Sequence, residues 1–163
     1  MSVLSITDYY RRNLPHIAAR ERPLFITFGT FRRWRLPPGA RSIALRHVIY
    51  SHCSHYFVHV AVVMPDHVHI VMTLPHGLSD DARSLAGVMK GIKGISARRI
   101  NQLRKSTETV WLTESYDHLV RRAEGLQNVC EYVLQNPVRA GLVTAIDDYP
   151  WIWRAWVEGR GCM

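Results

Sequence analysis

Two histidines one residue apart, His67 and His69, stand in the stretch Met64-Pro65-Asp66-His67-Val68-His69. An apolar run precedes them, Val58-His59-Val60-Ala61-Val62-Val63, and another follows, Ile70-Val71-Met72. Both runs are rich in β-branched residues and too short for most helices, so they read as strands. Pro65-Asp66 predicts a tight hairpin turn between them. Alternate side chains on a strand share a face, which puts the two imidazoles on the same side with Cα atoms roughly 6.5–7 Å apart, while Val68 points into the core. Imidazoles so placed can both reach one divalent metal. The plain alternative is a pair of half-exposed histidines on a polar face.

A second group of reactive residues lies in Tyr132-Val133-Leu134-Gln135-Asn136. Four residues apart in a helix, Tyr132 and Asn136 share a face about 6 Å apart along the axis. Asn136 can offer a neutral oxygen to a metal and Tyr132 a phenolic nucleophile. A hydroxyl with a pKa near ~10 needs activation by a base or metal, and a phosphate polarised by a metal is a suitable electrophile. On residue types alone, a core-packed tyrosine followed by a capping asparagine explains the pair as well. Tyr116, in Glu114-Ser115-Tyr116-Asp117-His118, is a rival nucleophile beside an apparent activating pair, but a loop leaves the directions of these side chains unset. His47, His52, Cys53, His55 and His59 are dense, yet their spacing fits no zinc template.

The elements that must position these groups can be read in order. Residues 1–22 form a basic amino-terminal arm with Tyr9, Tyr10, Arg11 and Arg12, suited to phosphate contacts and stacking or simply solvated. Leu24 to Phe31 is a strand, followed by Arg32, Arg33 and Arg35 and the breaker Pro37-Pro38-Gly39. Ala40 to His52 has near-helical apolar spacing, and the hairpin around His67 comes next. Ser79, Asp80 and Asp81 supply caps for a long helix with Leu85, Val88, Met89, Ile92 and Ile95 on one face. Its Gly87, Gly91 and Gly94 weaken it and allow a close approach to a sheet or a phosphate backbone. Residues 106–118 read as a loop, and a helix runs from about Glu124 to Asn136, where Pro137 ends it. Gly141-Leu142-Val143 suggests a last strand, and Trp151, Trp153 and Trp156 should pack against the domain. The order of elements resembles a ferredoxin-like split βαβ: an α+β class with an antiparallel sheet and helices on one face.

The 163 residues suggest one domain over 1–163, large enough for a core. Net charge is +8, from 21 Lys plus Arg against 13 Asp plus Glu, and arginine predominates. This fits phosphate recognition by guanidinium forks. Between Asp81 and Glu108 there is no acidic residue, whereas Arg83, Lys90, Lys93, Arg98, Arg99, Arg104 and Lys105 are basic. Cys53, Cys130 and Cys162 show neither metal-ligand spacing nor a pairing pattern, the usage of a reducing cytoplasm. No signal peptide and no apolar stretch of transmembrane length is visible, so a cytoplasmic protein without membrane contact is expected.

Met64-Pro65-Asp66-His67-Val68-His69, followed downstream by Tyr132-x-x-x-Asn136-Pro137-Val138-Arg139-Ala140-Gly141-Leu142-Val143, closely resembles the REP-associated tyrosine transposases. These are relatives of the single-strand transposases of the His-hydrophobic-His type. The resemblance extends to Arg11-Arg12-Asn13-Leu14-Pro15-His16 and to Val110-Trp111 through Tyr116-Asp117-His118. It implies a ferredoxin-like nuclease acting on single-stranded DNA with palindromic hairpins, as a monomer or homodimer. It implies Mg²⁺ or Mn²⁺ held by His67, His69 and Asn136, and Tyr132 as the nucleophile that leaves a 5′-phosphotyrosine link. The insertion-sequence relatives carry Gln where this chain has the shorter Asn136. Imidazole ligands suit Mn²⁺ better than Mg²⁺. Candidate DNA contacts are Arg11, Arg12, Arg32, Arg33, Lys90, Lys93, Arg98 and Arg99. The alternative function is a non-catalytic hairpin-binding protein.

Overall fold

The structure, a computed structural model, describes residues 23–74, 84–121 and 125–158. The expected arm over 1–22, with Arg11 and Arg12, and the expected caps Ser79, Asp80 and Asp81 lie outside them. Five strands form one sheet: β1 (Leu24–Gly29), β2 (Phe57–Val63), β3 (His67–Thr73), β4 (Tyr116–Leu119) and β5 (Ile152–Arg154). Their order is β4-β1-β3-β2-β5 and every neighbouring pair is antiparallel. Helix α1 (Pro38–Ile49) connects β1 to β2, and α2 (Leu85–Arg104) connects β3 to β4. Each crossover skips one strand, which is the split βαβ pattern, with β5 added at an edge.

β2 and β3 are central, and β2 is buried along nearly its whole length. A strand covered on both faces reads as a continuous apolar run, as this one does. A bulge at Val58–Val60 moves its alternation by one residue. Val58, Ala61 and Val63 therefore join the layer of Val68, Ile70 and Met72 under α1 and α2, while Val60 and Val62 join Val71 on the other face. Both faces carry helices, which corrects the expectation of helices on one face. That arrangement holds for α1 and α2 only. The second face is closed by α3 (Leu126–Leu134), whose Cys130, Val133 and Leu134 are buried with Val60, Val62 and Trp156. The cause is the apolar content of β2 and β3, which leaves neither side fit for water.

Several local expectations shift. α2 is capped by Ser84, whose Oγ accepts from the Gly87 backbone N–H at 3.1 Å. A Cβ at Gly91 or Gly94 would meet nothing within 4 Å, so close packing is not the reason for either glycine. Tyr116–Leu119 is a strand rather than part of a loop, because it pairs with the free edge of β1. Gly141 turns the chain with φ +72 instead of opening a strand. Trp156 is buried, and Trp151 and Trp153 are partly buried against the core, as expected. Cys130 is buried and takes part in no disulfide, whereas Cys53 is disulfide-bonded, against the expectation of unpaired cysteines.

Candidate active site

The Pro65-Asp66 turn closes β2 onto β3 with a Met64 N–H to His67 carbonyl bond of 2.8 Å. The segment after β1 clamps this turn. The Asp66 carbonyl accepts from Thr30 N at 2.9 Å, and the Pro65 carbonyl from Leu36 N at 2.7 Å. His67 and His69 project from one face of β3, as their spacing predicts, with ring centroids 4.7 Å apart. It is the face covered by α3.

Each imidazole is held through Nδ1. His67 Nδ1 lies 2.6 Å from Asp66 Oδ1, and His69 Nδ1 lies 2.8 Å from Thr27 Oγ1 on the neighbouring strand. Thr27 sits directly opposite His69 in the β1–β3 register. With Nδ1 donating to an oxygen, Nε2 keeps its lone pair, which is the arrangement metal-ligating histidines adopt. Burial, with smaller contributions from His67 and Arg139, lowers the His69 pKa to about 4, so this imidazole is neutral at pH 7. Burial would raise the Asp66 carboxyl, but its hydrogen bond to His67 and the charges of His67 and Arg33 outweigh that and hold it below its ordinary value.

The second half of the site comes from the end of α3. Leu126, Val129, Cys130, Val133 and Leu134 form its inward stripe, which leaves Tyr132 on the outer shoulder, 59% exposed. The helix does not run on to Asn136. It stops at Leu134, and a short helix α4 (Asn136–Arg139) follows. Pro137 has no N–H to give the Val133 carbonyl, and Asn136 Nδ2 donates to that carbonyl instead, at 3.0 Å. Arg139 completes the junction. Its Nη2 donates to the Tyr132 carbonyl at 2.8 Å and to Asn136 Oδ1 at 3.1 Å, and its guanidinium lies 4.1 Å from the Tyr132 ring centre. The charge of Arg139 is also the smallest of the causes that lower the His69 pKa. Sequence reasoning gave Arg139 and Thr27 no role. Thr27 is found only through the strand register, and Arg139 only through the break at Pro137.

His67 and His69 present two imidazole nitrogens on one face, donors that suit Mn²⁺ better than Mg²⁺, whereas Asn136 Oδ1 accepts from Arg139 Nη2. Among the described residues, no cluster of three or more His, Cys, Asp or Glu side chains could hold a metal. In the histidine-rich 47–59 segment, His59 is buried, its Nε2 2.8 Å from Thr73 Oγ1.

The basic candidates divide. Arg32 and Arg33 are exposed beside the turn, both with positive φ, 54 and 56. Such backbone is uncommon for bulky residues and tends to occur at functional sites. It brings Arg33 Nη2 to 3.4 Å from Asp66 Oδ2, behind His67. Lys90, Arg98 and Arg99 are exposed on α2, which lies across the sheet from the histidines. Lys93 is a different case. Its Nζ donates to the Thr113 carbonyl at 2.9 Å, the Glu114 carbonyl at 3.3 Å and Ser115 Oγ at 3.1 Å. These three bonds pin the approach to β4.

Residues 28–136 match the family model described as "Transposase IS200 like", and the chain belongs to that family. A Haemophilus influenzae protein provisionally named a REP-associated tyrosine transposase is 29% identical over 106 residues, covering 61% of this chain and 60% of its own length. The Escherichia coli REP-associated tyrosine transposase is 25% identical over 89 residues, covering 55% of this chain and 48% of its own length. The chain thus spans between about half and three fifths of these relatives. A solved structure of a REP-associated tyrosine transposase bound to a REP hairpin has the same fold, with a TM-score of 0.61 at 22% identity over 80% of this chain and 75% of that one. Among the described residues, no helix is long and apolar enough to cross a membrane.

Proposed function

We propose that this protein is a metal-dependent endonuclease and strand transferase for single-stranded DNA carrying REP-type hairpins, working in the cytoplasm through Tyr132. The observation that carries the reading is the His67–His69 pair, its rings 4.7 Å apart on one face of β3 and each fixed through Nδ1; Tyr132, Asn136 and Arg139 are joined to it as part of the proposal. His67, His69 and Asn136 would hold Mg²⁺ or Mn²⁺, which when bound polarises the scissile phosphate and neutralises its charge. Tyr132 Oη then forms a bond to phosphorus as the bond to the 3′ oxygen breaks. The phenolic proton leaves to solvent and the departing 3′ oxygen takes a proton from solvent, so the products are a 5′-phosphotyrosine link and a free 3′-hydroxyl. Attack of a 3′-hydroxyl on that link reverses the step, so one phosphodiester is exchanged for another without a nucleotide cofactor. Arg32 and Arg33 flank the site for phosphate contacts, as Arg11 and Arg12 do on the sequence reading. Lys90, Arg98 and Arg99 on the far layer are placed for the hairpin backbone.

A second reading has a specific observation behind it. Tyr116 is not in a loop of unset direction: it pairs with Thr27 on β1, opposite His69, and so shares the His69 face. Its ring nevertheless reaches His69 only through His118 and Phe25. Tyr132, whose ring lies 4.1 Å from the Arg139 guanidinium, is the nucleophile we favour, because it stands at the end of a helix one turn before Asn136. The experiment is cleavage of hairpin DNA by His67→Ala and His69→Ala. Both should lose cleavage by orders of magnitude while keeping hairpin affinity, since phosphate contacts supply most of it. Wild-type cleavage by either variant in Mn²⁺ would remove the metal assignment. Intact binding without any cleavage by the wild-type chain would favour the hairpin-binding alternative.

A further inference from the structure

On the face that carries His69, the β4–β1–β3 register places Tyr116, Thr27 and His69 in one row, and His118, Phe25 and Val71 in the next. The aromatic members touch in sequence. Tyr116 and His118 rings lie 5.8 Å apart, His118 and Phe25 5.3 Å, and Phe25 stacks on His69 at 5.6 Å with an interplanar angle of 25°. A continuous aromatic track thus runs from the histidine pair to the edge of the sheet. Its inner members are partly buried, and its outer end, Tyr116, is 65% exposed. α3 packs over β2 and β3 on this face, so the track emerges beyond its cover.

We propose that Tyr116, backed by His118 and Phe25, is a stacking platform for an unpaired base of the strand whose phosphate lies at His67 and His69. The inference rests on the function proposed above and adds a nucleobase subsite to it. One strand, β1, lies between Tyr116 and His69, so their Cα atoms are about 9.5 Å apart, twice the interstrand spacing. A single nucleotide spans such a distance from phosphate to base. The chemistry is tolerant of sequence, because every base presents a π-face to an aromatic ring. Edge position suits the role: β4 pairs only with β1. DNA passing from the basic positions of α2 around this edge to the histidines must cross Tyr116. The platform also gives Tyr116 a use in which the ring matters and the hydroxyl does not.

The test separates ring from hydroxyl and platform from nuclease. A fluorescent oligonucleotide is made from a palindrome bordering the gene, with a thymidine flank in which one abasic position is walked along the strand. Binding is measured in EDTA, so that it is independent of metal and cleavage. Tyr116→Phe should bind like wild type. Tyr116→Ala should bind about 5- to 100-fold more weakly, the loss a single stacked base gives. One abasic position should weaken wild type by a similar factor yet leave Tyr116→Ala unchanged, because both changes remove the same contact. Equal affinity of Tyr116→Ala and wild type, or losses that multiply at every abasic position, would overturn the platform and leave the nuclease reading intact. A wild-type chain that does not bind the oligonucleotide at all would overturn the nuclease reading itself. Circular dichroism melting of Tyr116→Ala, expected at the wild-type temperature for an exposed edge residue, guards against a folding artefact.

Discussion

Thr27→Val removes one hydroxyl and little else. The side chain keeps its shape, and valine suits a strand at least as well as threonine does. What is lost is the 2.8 Å bond between Thr27 Oγ1 and His69 Nδ1. A neutral hydrogen bond contributes about 0.5–1.5 kcal/mol net, and stranding a buried partner costs about 1–3 kcal/mol. His69 is buried enough for its pKa to fall to about 4, so that penalty applies to its Nδ1. The larger effect is on ligation, because Thr27 Oγ1 is the partner of His69 Nδ1, and the ring contacts with Phe25 and His67 do not replace that bond. Loss of such an outer partner typically weakens metal binding about 10- to 100-fold. Titration of DNA-free protein with Mn²⁺, followed by electron paramagnetic resonance, should show that loss for Thr27→Val. Thr27→Ser should recover most of the affinity, because it restores the oxygen. The reasoning fails if valine binds Mn²⁺ as tightly as threonine, or if serine is as weak as valine.

Three further outcomes follow from the structure. Burial holds His59 at a pKa of about 3, against 6.5 when unfolded. Between these values the unfolded chain takes up a proton that the folded chain refuses, so this contribution is intact above pH 6.5 and is lost as pH falls through the window. Urea unfolding at pH 4.5 should show on the order of 2–3 kcal/mol less stability than at pH 7 from this group, and His59→Leu should flatten the dependence. Lys93→Ala should lower the melting temperature, because the 113–115 segment loses its anchor, yet leave the salt dependence of DNA binding unchanged. Paired replacement of Arg98 and Arg99 should do the reverse, flattening the salt slope by roughly 0.7 per lost phosphate contact.

Much of the site was legible because it depends on periods the chain cannot disguise. His67 and His69 share a face since strands alternate, and Pro65-Asp66 marks its turn by side-chain chemistry. The antiparallel α+β class followed from the order of apolar runs. The helix on the second face was missed because β2 reads as simply apolar, and only the bulge at Val58–Val60 shows which residues serve which side. β4 was missed because Tyr116–Leu119 is mostly exposed and owes its conformation to the edge of β1, a long-range pairing without local signature. Lys93 looked like part of a basic run, and its three acceptors at 113–115 come from about twenty residues away. Proline's effect on the helix was foreseen, but not that Asn136 and Arg139 would cap the carbonyls at the break.

Identification of the nucleophile tests the central claim most directly. Wild-type protein is incubated with single-stranded hairpin DNA and Mn²⁺, the covalent adduct is digested, and the modified peptide is sequenced by mass spectrometry. The nucleotide should be found on Tyr132. Tyr132→Phe, which removes only an exposed hydroxyl, should fold and bind DNA normally and give no adduct. A nucleotide on Tyr116, with Tyr132→Phe still active, would contradict the account.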